Sequence, residues 1–160
     1  MEVYLIRHAN AGARHLGSRD RYRLLSDDGV QQAEALVDFF TNRGIGEIHS
    51  SPASRCVQTV EPLADALELP VVEQNALWED VGLQDVLGLI DERTSQVGPR
   101  SGIVMCSHGN LIPAVVEHLT AQGAVVHGRG CERASIWMIR SEDGRWVEGR
   151  YFTPRSGYAG

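Results

Sequence analysis

Lysine is absent from this sequence: all 15 basic residues among its 160 are arginine. That excludes a lysine-dependent phosphate loop, a Schiff-base lysine and a lysine-rich nucleic-acid patch. Cysteine is scarce. Cys56, Cys106 and Cys131 are odd in number, show no Cys-x-x-Cys spacing and sit in apolar runs, so they read as small core residues in a reducing compartment. No apolar run approaches the ~20 residues that span a bilayer. The N-terminus carries no basic segment ahead of a long apolar stretch, so neither a signal peptide nor a membrane partner is expected. Solenoid-period repeats and low-complexity segments are missing too. These absences leave one cytoplasmic domain over residues 1–160, long enough for a sizeable core.

The net charge is −6. An acidic protein that binds an anion must gather its arginines locally, against its own field. Arginine suits that task, because its planar guanidinium pairs bidentately with phosphate or carboxylate.

Hydrophobic periodicity supplies the element order. Val3–Ile6 is a short apolar strand that runs straight into Arg7 and His8. Ala9 to Asp28 is polar and arginine-rich and reads as a long loop, of the kind that carries function in compact domains. Apolar positions 30, 33, 36, 37 and 40 mark a helix, with Ser26 as its N-cap beside Asp27 and Asp28. IGEIHS is a strand, and PASRCVQTVEPLADAL is a second helix with a kink expected at Pro62. LPVVEQ is a brief strand and LQDVLGLIDERTSQV a third helix. SGIVMCSHGN repeats the opening design, an apolar strand running into a histidine and a glycine. NLIPAVVEHL is a fourth helix, with Pro113 in its first turns, and ASIWMI with RWVEGRYF forms a hairpin turning at EDG. Strands alternating with helices of this length predict a three-layer α/β/α sandwich around a largely parallel sheet.

In such a sheet, ligands bind beyond the carboxyl ends of the strands. If the strands ending in Arg7-His8 and Ser107-His108-Gly109 are neighbours, both histidines converge on one crevice. SSPASRC places Arg55 in the first turn of the next helix, where free N–H groups favour an anion. Two arginines, two histidines and a helix start make a pocket for a phosphoryl group. A metal reading of His8, His49 and His108 lacks a further convergent donor, and the adjacent arginine repels a cation, so no metal and no cofactor is expected. His15, His118 and His127 stand in no suggestive context.

LIRHA, SSPASRCVQT, LWE and SHGN, in this order, resemble the histidine phosphatase superfamily, the phosphoglycerate-mutase-like group with its RHG signature, over about residues 2–153. RHANAG with RLLSDDGVQQAEAL looks most like the branch of SixA-like phosphohistidine phosphatases, and also like phosphatase modules fused to nucleotide hydrolases. The resemblance implies His8 as nucleophile forming a phosphohistidine, with Arg7 and Arg55 binding the phosphoryl oxygens. It implies His108, with backbone N–H groups near Gly109, stabilising the same charge. Glu79 matches the position of the family's general acid, with Asp80 as the fallback and Trp78 and Leu77 as its expected apolar surroundings; an exposed loop acid is the plain alternative.

The sequence departs from that family where Ala9 replaces the usual glycine after the histidine. Ala11 and Arg14 likewise stand where mutase-type members carry other polar residues. Asn10 and Arg14 are candidate substrate contacts, and Arg14, Arg19, Arg21 and Arg23 make the loop cationic. The expected activity is a metal-independent phosphatase acting on a phosphohistidine protein, a nucleotide or a small phosphomonoester, with no nucleic-acid polymer as partner. A mutase-type phosphotransferase and a non-catalytic phospho-ligand binding module are the alternatives.

Overall fold

The computed structural model describes residues 1–14 and 16–159; His15 lies outside the described residues. Seven strands form one sheet: β1 (Glu2–Arg7), β2 (Ile45–Ser50), β3 (Val71–Glu73), β4 (Gly102–Ser107), β5 (Val125–His127), β6 (Ile136–Glu142) and β7 (Arg145–Phe152). Four helices accompany them: α1 (Asp27–Phe40), α2 (Ser54–Leu67), α3 (Leu83–Gln96) and α4 (Leu111–Ala121). The strand order is β3-β2-β4-β1-β6-β7-β5. β3, β2, β4 and β1 pair in parallel, β6 runs antiparallel to β1 and β7, and β5 pairs parallel to β7. The sheet is therefore largely but not wholly parallel, with helices on both faces, as the periodicity predicts.

Period-two alternation builds the two faces. Val3 and Leu5 of β1, Ile103 and Met105 of β4, and Trp137 and Ile139 of β6 pack under α3 and α4. Their neighbours Tyr4 and Ile6, Val104 and Cys106, and Ile136 and Met138 pack under α1 and α2. A strand covered on both faces needs apolar residues at every position, which is why VYLI and GIVMC read as continuous runs. The hairpin turns where expected, with Asp143 and Gly144 both at positive φ, as a two-residue connection between right-twisted strands requires.

Some details differ from the sequence reading. The 9–28 segment contains a 3-10 turn over Gly17–Tyr22 and a bridge between Ala11 and Leu25, and α1 already begins at Asp27, capped by Ser26 Oγ accepting from Gly29 N. As expected, α2 runs to Leu67 with Pro62 inside it. β5 is a three-residue strand whose pattern is too short for periodicity to mark. Cys56 and Cys106 are buried, whereas Cys131 is only half-buried. Among the described residues no helix is long and apolar enough to cross a membrane.

Candidate active site

β1 and β4 are adjacent and parallel, with Arg7 opposite Ser107, so the residues after each strand emerge side by side. The His8 amide donates to the Ser107 carbonyl at 3.0 Å, and the rings of His8 and His108 meet edge to face with centroids 5.5 Å apart. Next to β4, β2 delivers Ser51, whose amide donates to the Cys106 carbonyl at 2.9 Å, and α2 then carries Arg55 in its first turn. Three strand ends and one helix start thus meet at a single cleft of about 680 Å³. Arg7, His8, Arg14, Arg55, Glu79, His108 and Gly109 all line it. Two larger surface grooves, about 870 and 810 Å³, lie away from these strand ends.

His8 is held by its own backbone. Nδ1 lies 2.8 Å from the Ala9 carbonyl, which can only accept, so Nδ1 carries the hydrogen and the lone pair of the neutral ring is on Nε2. The Ala9 amide is tied in turn to Thr59 Oγ1 at 2.9 Å. Burial lowers the His8 pKa to about 3; the Ala9 bond opposes this, while His108, Arg55 and Arg7 lower it further. At neutral pH the ring is therefore unprotonated.

Arg7 donates from Nη1 to the Cys131 carbonyl at 2.6 Å. Arg55 is fully buried. Its Nη1 donates to the Asp20 carbonyl at 3.0 Å and lies 3.5 Å from Asp20 Oδ2, while its Nη2 donates to Glu79 Oε2 at 3.2 Å. Nε of both arginines is buried without a hydrogen-bond partner among the described residues. Gly109 sits against Arg7 so closely that a Cβ there would fall 2.8 Å from the guanidinium carbon.

His108 is 1% exposed and meets Ser51 Oγ through Nε2 at 2.8 Å. Ser51 Oγ also accepts from the Ala53 amide at 3.3 Å. The other ring nitrogen of His108, Nδ1, faces charged side chains. Nδ1 lies 3.7 Å from Glu79 Oε2 and 3.5 Å from Arg55 Nη2.

Glu79 does not face the apolar surroundings expected of it. Its carboxylate meets Arg55, His108 and Arg14, the last at 3.7 Å, while Leu77 is buried in the core. Trp78 turns its ring edge toward His108 and donates from Nε1 to Asp80 Oδ2. Arg14 is an exposed arm between Asp20 and Glu79. Asn10 is engaged within the protein. Its Nδ2 donates to Ser26 Oγ at 2.7 Å, its Oδ1 accepts from Arg133 at 2.6 Å, and its carbonyl packs against Gly29, where a Cβ would fall 1.9 Å from the oxygen. His49 belongs to a separate network with Glu47 and Gln74. No group of three or more His, Cys, Asp or Glu suited to a metal occurs among the described residues.

Sequence reading assigned no individual role to Asp20, Ser51, Thr59 or Arg133, although it placed selectivity in the 9–28 loop, the region around 79–100 and the segment from Gln122 to Arg133. Ser51 stood inside a quoted motif, but Asp20 and Arg133 carry no local signal. They reach the site only through the fold.

The model of the histidine phosphatase superfamily (branch 1) matches residues 3–92. The chain belongs to that superfamily. It is 30% identical over 155 residues to an 8-oxo-(d)GTP phosphatase of Mycolicibacterium smegmatis, covering 95% of this chain and 48% of that protein. A probable phosphoglycerate mutase, GpmB, of Yersinia pestis is 36% identical over 83 residues, 49% of this chain and 38% of that protein. The chain thus spans about half the length, or less, of these curated relatives. Among solved structures, the protein histidine phosphatase SixA complexed with tungstate superposes with a TM-score of 0.74 at 19% identity, over 96% of this chain and 95% of that one. A mycobacterial glucosyl-3-phosphoglycerate phosphatase with VO3 gives 0.71 at 20% identity, over 91% and 95%. At these identities the likeness is one of fold.

Proposed function

We propose that residues 1–160 act as one histidine phosphatase domain that hydrolyses a phosphoryl group through a covalent phosphohistidine at His8. The observation that carries this reading is the state of His8: buried, unprotonated at neutral pH, with Nδ1 tied to Ala9 and the lone pair on Nε2, in a cleft shared with Arg7, Arg55 and His108.

In this reading Nε2 attacks phosphorus in line, forming an N–P bond as the bond to the leaving group breaks. Arg7, Arg55 and His108 take up the charge on the equatorial oxygens. Fixed donors of this kind need no reorganisation during the step and are worth on the order of 10²–10³ in rate each. Glu79, beside His108, and Asp80 are the carboxyls placed near the leaving group; only a protonated carboxyl can supply its proton, and the Glu79 carboxylate paired with Arg55 favours a leaving group that departs as an anion. Water, passing its proton to the Glu79 carboxylate, then attacks the phosphohistidine, breaking the N–P bond and releasing inorganic phosphate and the regenerated imidazole. Two displacements replace one difficult step.

Phosphohistidine protein, nucleotide and small phosphomonoester are the substrate classes this site serves. The relative described as an 8-oxo-(d)GTP phosphatase favours a nucleotide. The test is metal-free phosphate release by wild type and His8→Ala against an aryl phosphate, a phosphohistidine protein, nucleotides and phosphoglycerate. Turnover that vanishes in His8→Ala is expected. Full turnover in that variant refutes the reading, and phosphate binding without any turnover makes the domain a binding module.

A further inference from the structure

The cleft is rich in arginine, but most of that charge is already engaged. Arg55 is paired with Asp20 and Glu79, Arg14 reaches toward the same two carboxylates, and Arg23 pairs with Asp20 at 3.0 Å. Arg7 and Arg133 differ. Among the described residues neither has a carboxylate within 4.0 Å; their recorded side-chain partners are the Cys131 carbonyl for Arg7 and Asn10 Oδ1 for Arg133. Arg7 belongs to the phosphoryl site. Arg133 lines the same cleft and has no part in the steps above.

Arg133 is exposed, yet it is built into place. The next residue, Ala134, donates its amide to the Arg7 carbonyl at 3.0 Å and the His8 carbonyl at 3.3 Å, so the chain carrying Arg133 is fastened to the nucleophile's own backbone. Nη1 is oriented by Asn10 Oδ1, and Asn10 is itself fixed by Ser26 and, through its amide, by Gln32 Oε1 at 2.9 Å. The neighbouring acid Glu132 is turned elsewhere, engaged by Arg155 at 3.1 Å and Thr153 at 3.1 Å. A guanidinium that is positioned, open to the cleft and held by a neutral partner keeps its full charge for an incoming anion.

We propose that Arg133, oriented by Asn10, forms a second anion subsite that takes the phosphate adjoining the transferred phosphoryl group, so that the substrate carries a diphosphate, as nucleoside di- and triphosphates do. The inference rests on the phosphatase reading and narrows its substrate class. Arg7, Arg55 and His108 hold the phosphoryl group being transferred, and Arg133 holds the one behind it. Asn10, expected to touch substrate, acts instead through Arg133.

The experiment has two arms. Steady-state kinetics of wild type, Arg133→Ala and Arg133→Lys compare an aryl phosphate with a nucleoside diphosphate. In Arg133→Ala, kcat/KM for the diphosphate is expected to fall about 10- to 100-fold further than that for the aryl phosphate, the range of one charge-assisted hydrogen bond, with Arg133→Lys in between. Calorimetry measures binding of methylenediphosphonate and methylphosphonate to the same proteins, and only the diphosphonate should lose affinity by a similar factor. Equal losses for both substrates, no loss for either, or a selective loss with a phosphohistidine protein overturns the subsite. A protein that turns over nothing but still loses diphosphonate affinity in Arg133→Ala would keep the subsite and refute the phosphatase.

Discussion

Replacing Gly109 by alanine isolates the contribution of Arg7 without touching either histidine. The added Cβ would stand 2.8 Å from both Cζ and Nε of Arg7 and 3.1 Å from Nη2. Carbon atoms in comfortable contact are about 3.5–4.0 Å apart, so the guanidinium has to retreat by roughly half an ångström or more. It cannot do so freely, because Nη1 is anchored on the Cys131 carbonyl at 2.6 Å. Gly109 is not among the positive-φ glycines, so alanine suits the backbone, and the atoms that must yield are the far end of one long side chain. The stability cost is therefore within ~1 kcal/mol, in the range of ordinary substitutions. The catalytic cost is larger, because a misplacement of about 1 Å at a reacting centre costs on the order of 10²-fold. Gly109→Ala should lose about 10- to 100-fold in kcat/KM toward an aryl phosphate while its thermal midpoint stays close to wild type. Full activity would show that Arg7 does not bind the transferred phosphoryl group as placed. A collapsed midpoint would show instead that Gly109 serves the fold.

Ser51→Ala removes the hydrogen-bond partner of His108 Nε2, a bond worth about 1 kcal/mol, so a loss of roughly fivefold to tenfold is expected in kcat/KM toward an aryl phosphate, well short of the 10²–10³ for His108→Ala. His8 makes stability depend on pH. Its folded pKa of about 3 lies below the unfolded value of 6.5, so the unfolded chain binds the extra proton between those limits. The contribution is complete above pH 6.5 and is lost as pH falls toward 3, by up to about 1.4 kcal/mol per unit. Urea melts of wild type and His8→Ala between pH 7 and pH 4 check this, and identical slopes in the two proteins would refute it.

Much of the architecture was legible because it is encoded locally. Ser26 ahead of Asp27 and Asp28 marks the start of α1, and the Asp143-Gly144 turn marks the hairpin, through groups only a few residues apart. VYLI and GIVMC, each running into histidine, announce buried parallel strands whose ends carry chemistry. What escaped the reading was short or non-local. β5 is a three-residue strand, and the turn over Gly17–Tyr22 lies in a segment with no apolar rhythm. Glu79 fell at the expected position, but its expected apolar surroundings were inferred from chain neighbours. Leu77 is buried in the core and Trp78 packs against His108 and Arg21, while the carboxylate's real neighbours come from the 9–28 segment, α2 and the end of β4.

The sequence by itself thus determined the layers, the alternation that gives each strand two buried faces, and the delivery of Arg7, His8 and His108 to strand ends. Those features follow from periodicity, capping and turn chemistry, which act over a few residues. Only the tertiary structure decided which charges are engaged and which are free. Asp20 reaches Arg55 across 35 positions, Ser51 reaches His108 across 57, and Asn10 reaches Arg133 across 123. Ion pairing and hydrogen bonding are set by atoms within about 4 Å in space, and proximity in space between distant residues exists only once the sheet has brought its strand ends together.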